Sequence, residues 1–163
     1  MINKYEFREY DKIFPELFEQ EKARISSYLT KALAIEHVGS TAVPNLGGKG
    51  IIDIAIAVEK NHMNLTLKEL EDLGYEYRPT FSTEDRFYFV IYLKNGENRR
   101  YHIHLTYPEN REWAEFLAFR DYLRNNEGAL KEYADLKKRA SKEADNDGVI
   151  YRKIKEPIFN KIR

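Results

Sequence analysis

One run of eight residues constrains this chain more than any other: Ile51-Ile52-Asp53-Ile54-Ala55-Ile56-Ala57-Val58. β-Branched residues with no polar alternation suit a strand in the middle of a sheet, covered on both faces. Side chains alternate along such a strand, so Ile52, Ile54, Ile56 and Val58 share one face, and Ile51, Asp53, Ala55 and Ala57 the other. A carboxylate there is costly unless it is paired, hydrogen-bonded or metal-bound. Ala55 and Ala57 leave open space beside it.

The flanking pattern predicts an α+β (α/β) domain. Pro15 opens an amphipathic helix over about 15–32, with Phe14, Phe18, Ile25, Leu29 and Ala32 on its apolar stripe. A short strand follows at 34–38, then a Gly-rich passage from Gly39 to Gly50, then the central strand. Residues 61–73 read as a helix capped by Gly74. Residues 86–93 and 100–107 read as a β-hairpin around Asn95-Gly96. Trp113, Phe116, Phe119 and Leu123, then Leu130, Tyr133, Leu136 and Ala140, recur at helical spacing. Ile150, Ile154, Ile158 and Ile162 predict a last helix, kinked by Pro157. The order β-α-β-β-α-β-β-β-α-α-α describes a mixed sheet with a helical C-terminal cover, expected as one domain over 1–163.

Composition narrows the chemistry. The 163 residues carry 27 basic and 27 acidic side chains, net charge zero, which argues against a nucleic-acid polymer as partner. Cys is absent, so disulfides, thiolate catalysis and Cys-ligated metals are excluded. The charged N-terminus and the lack of any apolar run of about 18 residues set the expectation of a cytoplasmic protein without membrane contact.

The segment His37-Val38-Gly39-Ser40-Thr41, leading through Gly48-Lys49-Gly50 to Asp53, has the equipment of a phosphate site: a Gly-bearing turn, two hydroxyls and an ammonium. It is not a P-loop, since Val43 and Gly50 stand where that motif needs Gly and Ser or Thr. A tight turn with no ligand explains the same glycines. On the strand at 100–106, Arg100, His102 and His104 share a face. If that face meets Asp53, two imidazoles and a carboxylate could hold a metal; two His on a half-solvated face is the plainer reading.

At these residues the chain resembles the GrpB family. EHVGSTAVPNLGGKGIIDI carries the likeness, and EFREYDKIFPELFEQEKARI, LGYEYR at 73–78, HIHL at 102–105, FRDYLR at 119–124, Tyr133 to Lys137 and Tyr151 to Lys155 follow in order. The resemblance implies a nucleotidyltransferase-like fold in which Gly39, Ser40 and Thr41 contact phosphate, Asp53 ligates magnesium, and Asp53 with His104 is the candidate catalytic pair. His102 and His104 stand for a carboxylate expected on a later strand. Such transferases use a second carboxylate two residues after the first, so that two ions about 3.5–4 Å apart clamp the reacting oxygens; here that residue is Ala55. Lys49, Arg120 and Lys137 complete the expected phosphate contacts, although Arg120 and Lys137 also fit ordinary helix-surface pairing. The ligand expected is a nucleotide or other phosphorylated small molecule. The alternatives are a metal-dependent site built from Asp53, His102 and His104, and a noncatalytic module linked to coenzyme A metabolism, because GrpB-like domains also occur fused to dephospho-coenzyme A kinase.

Overall fold

The computed structural model describes residues 9–95 and 98–143. Five strands form one mixed sheet: β1 (Ala34–Val38), β2 (Ile52–Ala57), β3 (Glu76–Tyr77), β4 (Phe87–Leu93) and β5 (Arg99–Thr106), in the order β1-β2-β5-β4-β3. β2 and β5 run parallel and every other pair is antiparallel. The central position expected for residues 51–58 is therefore observed. No strand precedes the first helix among residues 9–13. The expected helix over 150–162, the Tyr151 to Lys155 segment and Gly96 of the hairpin turn lie outside the described residues.

The two faces of the sheet differ in what covers them. Ile52, Ile54 and Ile56 of β2, Tyr101, Ile103 and Leu105 of β5, and Phe89 of β4 are buried under α1 (Phe14–Ser26) and α2 (Met63–Asp72). This is the main core. The opposite face carries Asp53, His102, His104 and Tyr88, and α3 (Arg111–Arg124) and α4 (Glu127–Glu143) lie over it around a second, smaller cluster of Val43, Leu46, Leu123 and Tyr133. Phe119 packs against that cluster and Leu123 is fully buried in it, as the spacing predicts.

α1 ends sooner than its apolar stripe suggests, at Ser26 rather than near 32. The Ser27 hydroxyl donates to the Arg24 carbonyl, and the Leu33 amide already donates to Ala57, so residues 27–33 must turn the chain into β1. α2 stops at Gly74, whose φ of 100° is left-handed, with the Tyr75 amide bonding back to the Leu70 carbonyl. The buried Glu21 then ties the two helices. It accepts from Arg24 and from the Tyr75 hydroxyl, while Arg24 also donates to the Leu73 carbonyl.

On β1, His37 is turned toward the main core and stacked on Phe18, with ring centroids 4.7 Å apart and planes 8° from parallel. Burial dominates its proton affinity, outweighing the pull of Asp53, and with Arg124 and Arg120 it lowers the imidazole to about 4.

Two outcomes are expected. Gly74→Ala should cost about 1 kcal/mol or more in urea denaturation, because it forces a side chain into left-handed backbone. For His37, the unfolded chain takes up a proton near pH 6.5 while the folded chain waits until about 4, so stability drains as pH falls through that window, by up to about 3 kcal/mol from this group. His37→Gln should flatten the pH dependence of denaturation between pH 6.5 and 4.

Candidate functional site

The register of the sheet assembles the site. Val38 pairs with Asp53 across β1 and β2, and Asp53 with His102 across β2 and β5, while Ala55 is level with Glu36 on one side and His104 on the other. Tyr88 of β4 lies opposite His104. Asp53 is thus flanked by the end of β1 and by both imidazoles of β5. That convergence matches the strand-face expectation for Asp53, His102 and His104.

The contacts are specific. His104 Nε2 donates to Asp53 Oδ1 at 3.3 Å, and His102 Nδ1 lies 3.7 Å from the same oxygen. The Tyr88 hydroxyl sits 2.5 Å from His102 Nδ1. Burial favours neutral Asp53, but the His104 hydrogen bond and the electrostatic pull of the neighbouring imidazoles and of Lys49 outweigh it, and the carboxyl falls to about 2. Burial lowers His102 to about 3, and burial followed by the Asp53 charge raises Tyr88. At neutral pH His102 is therefore an uncharged ring whose Nδ1 accepts from the Tyr88 hydroxyl, and the lasting balance to Asp53 comes from His104 and Lys49.

Gly39 closes the other side of Asp53. Its φ is 74°, and a Cβ added there would meet Asp53 Oδ2 at 2.7 Å. Backbone and carboxylate are packed so closely that only glycine fits. Gly48 plays the same part for the cations: a Cβ there would meet Lys137 Nζ at 2.5 Å and Ser40 Oγ at 2.7 Å. Lys137 is 3% exposed, reaching in from α4. A cleft of about 480 Å³ joins these groups, lined on the polar side by Gly39, Ser40, Lys49, Asp53 and Lys137, and on the other by Phe116, Phe119 and Tyr133.

Two expected phosphate contacts are placed elsewhere. The Thr41 hydroxyl is buried between His37 Nε2, at 2.9 Å, and the Ile51 carbonyl, at 3.3 Å. It is occupied by the protein itself. The Arg120 guanidinium bonds Glu36 at 3.0 Å, the His37 carbonyl at 3.2 Å and Asp121 at 2.9 Å, and it does not line the cleft. Sequence reasoning missed Tyr88, Phe116, Glu112 and Glu115 as lining residues. Tyr88 was legible in principle, since it alternates with Phe87 and Phe89; the others depend on where α3 crosses the sheet.

The donor set decides between metals. Among the described residues no group of three or more His, Asp or Glu is arranged to hold an ion. His104 is taken up as the hydrogen-bond donor to Asp53, and the Nδ1 of His102 is taken up by the Tyr88 hydroxyl, so the two imidazoles are not arranged as ligands around a shared point. Ala55 is fully buried where a two-ion clamp needs its second carboxylate. The residues do not fit two ions. Asp53 could contribute one carboxylate to a single hard cation whose other ligands come from outside the protein.

Known proteins share this arrangement of elements. The GrpB protein family profile matches residues 4–163. The UPF0157 protein BH1888 of Halalkalibacterium halodurans is 34% identical over 94% of this chain and 78% of its own length. A dephospho-CoA kinase of Mycobacterium leprae is 32% identical over 78% of this chain, which corresponds to only 37% of that enzyme. The crystal structure of the conserved protein GrpB from Enterococcus faecalis superposes with a TM-score of 0.78 at 33% identity, covering 96% of this chain and 98% of that one. The Cid1 poly(U) polymerase matches with a TM-score of 0.54 at 16% identity, over 83% of this chain and 43% of that one, a likeness of fold alone. The fold is nucleotidyltransferase-like, and by sequence and structure together the chain belongs to the GrpB family.

Proposed function

We propose that the cleft binds a nucleotide or another phosphorylated small molecule, with nucleotidyl transfer altered or lost. The observation that carries this reading is the placement of the Lys137 ammonium and the Ser40 hydroxyl against the same Gly48 backbone, in a cleft that Lys49 also lines. Two lysines and a hydroxyl at one end suit a phosphate group. The aromatic wall of Phe116, Phe119 and Tyr133 suits a planar or apolar remainder. Net charge is zero, which favours a small ligand over a polyanion.

The fold supports the same ligand class, and the dephospho-CoA kinase relative adds dephospho-coenzyme A to the compounds worth testing. Magnesium, when bound, would neutralise phosphate charge. Asp53 would hold it; Ala55 leaves no second carboxylate beside it on β2. A transition metal on His102, His104 and Asp53 is disfavoured because His104 Nε2 donates to Asp53 and His102 Nδ1 accepts from Tyr88. Elemental analysis of protein purified without added metal should therefore find no stoichiometric zinc, iron or manganese, and a full equivalent lost in His102→Ala would reverse that assignment.

Thermal-shift measurements across nucleoside triphosphates and dephospho-coenzyme A, with and without magnesium, test the reading directly. A true ligand at a hundredfold excess over Kd adds about 2.7 kcal/mol, a rise of several degrees. Lys137→Met should weaken binding about tenfold or more. Asp53→Asn separates the two modes of phosphate binding. It should abolish the increment due to magnesium, yet tighten metal-free binding, because a repelling carboxylate is gone. Stabilisation by none of these compounds would refute the phosphate assignment.

A further inference from the structure

Thr41 and His37 lie beside the phosphate end of the cleft but outside it. Thr41 is 2% exposed and His37 6%. A threonine hydroxyl has one hydrogen to give, and here it goes to the Ile51 carbonyl, so His37 Nε2–H must donate to the hydroxyl oxygen. The resulting chain of bonds spans three segments: the end of β1, the Gly39-Ser40 turn, and the approach to β2 two residues past Lys49. It thereby sets where Ser40 stands relative to Lys49. Phe18 of α1 backs the His37 ring from the far side of the sheet, and Arg120 grips the His37 carbonyl while also holding Glu36.

We propose that Thr41 and His37 are positioning residues for the anion-binding end of the cleft, holding the Ser40 turn and the Lys49 segment at the separation that a phosphate group bridges. This rests on the phosphate reading of the cleft. A bound phosphate gains most from donors that are already in place, since any ordering on binding subtracts from affinity. Displacements of about 1 Å are enough to cost large factors wherever placement governs the outcome. The main core, through Phe18, thus helps to determine ligand affinity on the opposite face of the sheet.

The test uses inorganic tripolyphosphate and ATP as probes, titrated calorimetrically at a temperature where circular dichroism shows every variant folded. Thr41→Val, which keeps the shape and removes the hydroxyl, should raise Kd about tenfold or more; Thr41→Ser should restore it to within a few-fold of the wild type. His37→Phe, which keeps an aromatic ring against Phe18 but has no N–H, should follow Thr41→Val. Leu70→Ala, a core truncation on α2, should lower the melting temperature and leave Kd unchanged, which separates positioning from mere stability. If the wild type binds a probe and Thr41→Val binds it equally well, the positioning role is overturned while the phosphate reading stands. If the wild type binds neither probe, the phosphate reading falls and this inference with it.

Discussion

A carboxylate sits on an interior strand of the sheet, and much of the described chain is arranged around that charge. An isolated buried carboxylate would cost many kcal/mol or would take up a proton. Asp53 does neither, because His104 donates to it, Lys49 lies near it, and Gly39 lets the backbone close over its second oxygen. The same constraint explains why the sheet has two unlike faces. What Asp53 needs is on one side, so the other is packed mainly with apolar and aromatic side chains.

A small residue makes room for one cation of the cleft. Glycine at 48 allows an ammonium from a distant helix to come down beside the Ser40 hydroxyl, and this contact links α4 to a loop almost ninety residues earlier. Arg120 shows the opposite outcome. It has the charge to meet a phosphate, but Glu36, Asp121 and a backbone carbonyl take up its guanidinium, and its work is to fasten α3 to the edge strand β1. A positive side chain near a site is thus informative only once its partners are known.

A fold like that of the Cid1 polymerase does not carry two-ion chemistry with it. Ala55, two residues after Asp53, offers no carboxylate, and the group level with it on β5 is His104, already bonded to Asp53. What survives is the geometry of a polar pocket with an aromatic wall. Such a pocket can bind a phosphorylated ligand while lacking the paired carboxylates that two-ion transfer needs.

Much of this was legible in residue order because it depends on local periodicity. The run at 51–58 specifies a buried central strand, alternation puts Asp53 on one face and His102 with His104 on one face of another strand, and Gly74 marks where α2 must stop. The early end of α1 was not legible, since Leu29 and Ala32 continue its apolar stripe and only the bond from Leu33 to Ala57 shows that the chain has already turned. Nor could sequence separate Lys137 from Arg120, or Ser40 from Thr41: each pair offers the same chemistry at similar distance along the chain. The sequence by itself determined which strand holds the charge and which residues could answer it. Only the tertiary structure decided which of them do, because a hydrogen-bonding group serves the partner within about 3 Å of it, and that partner is chosen by how the helices cross the sheet.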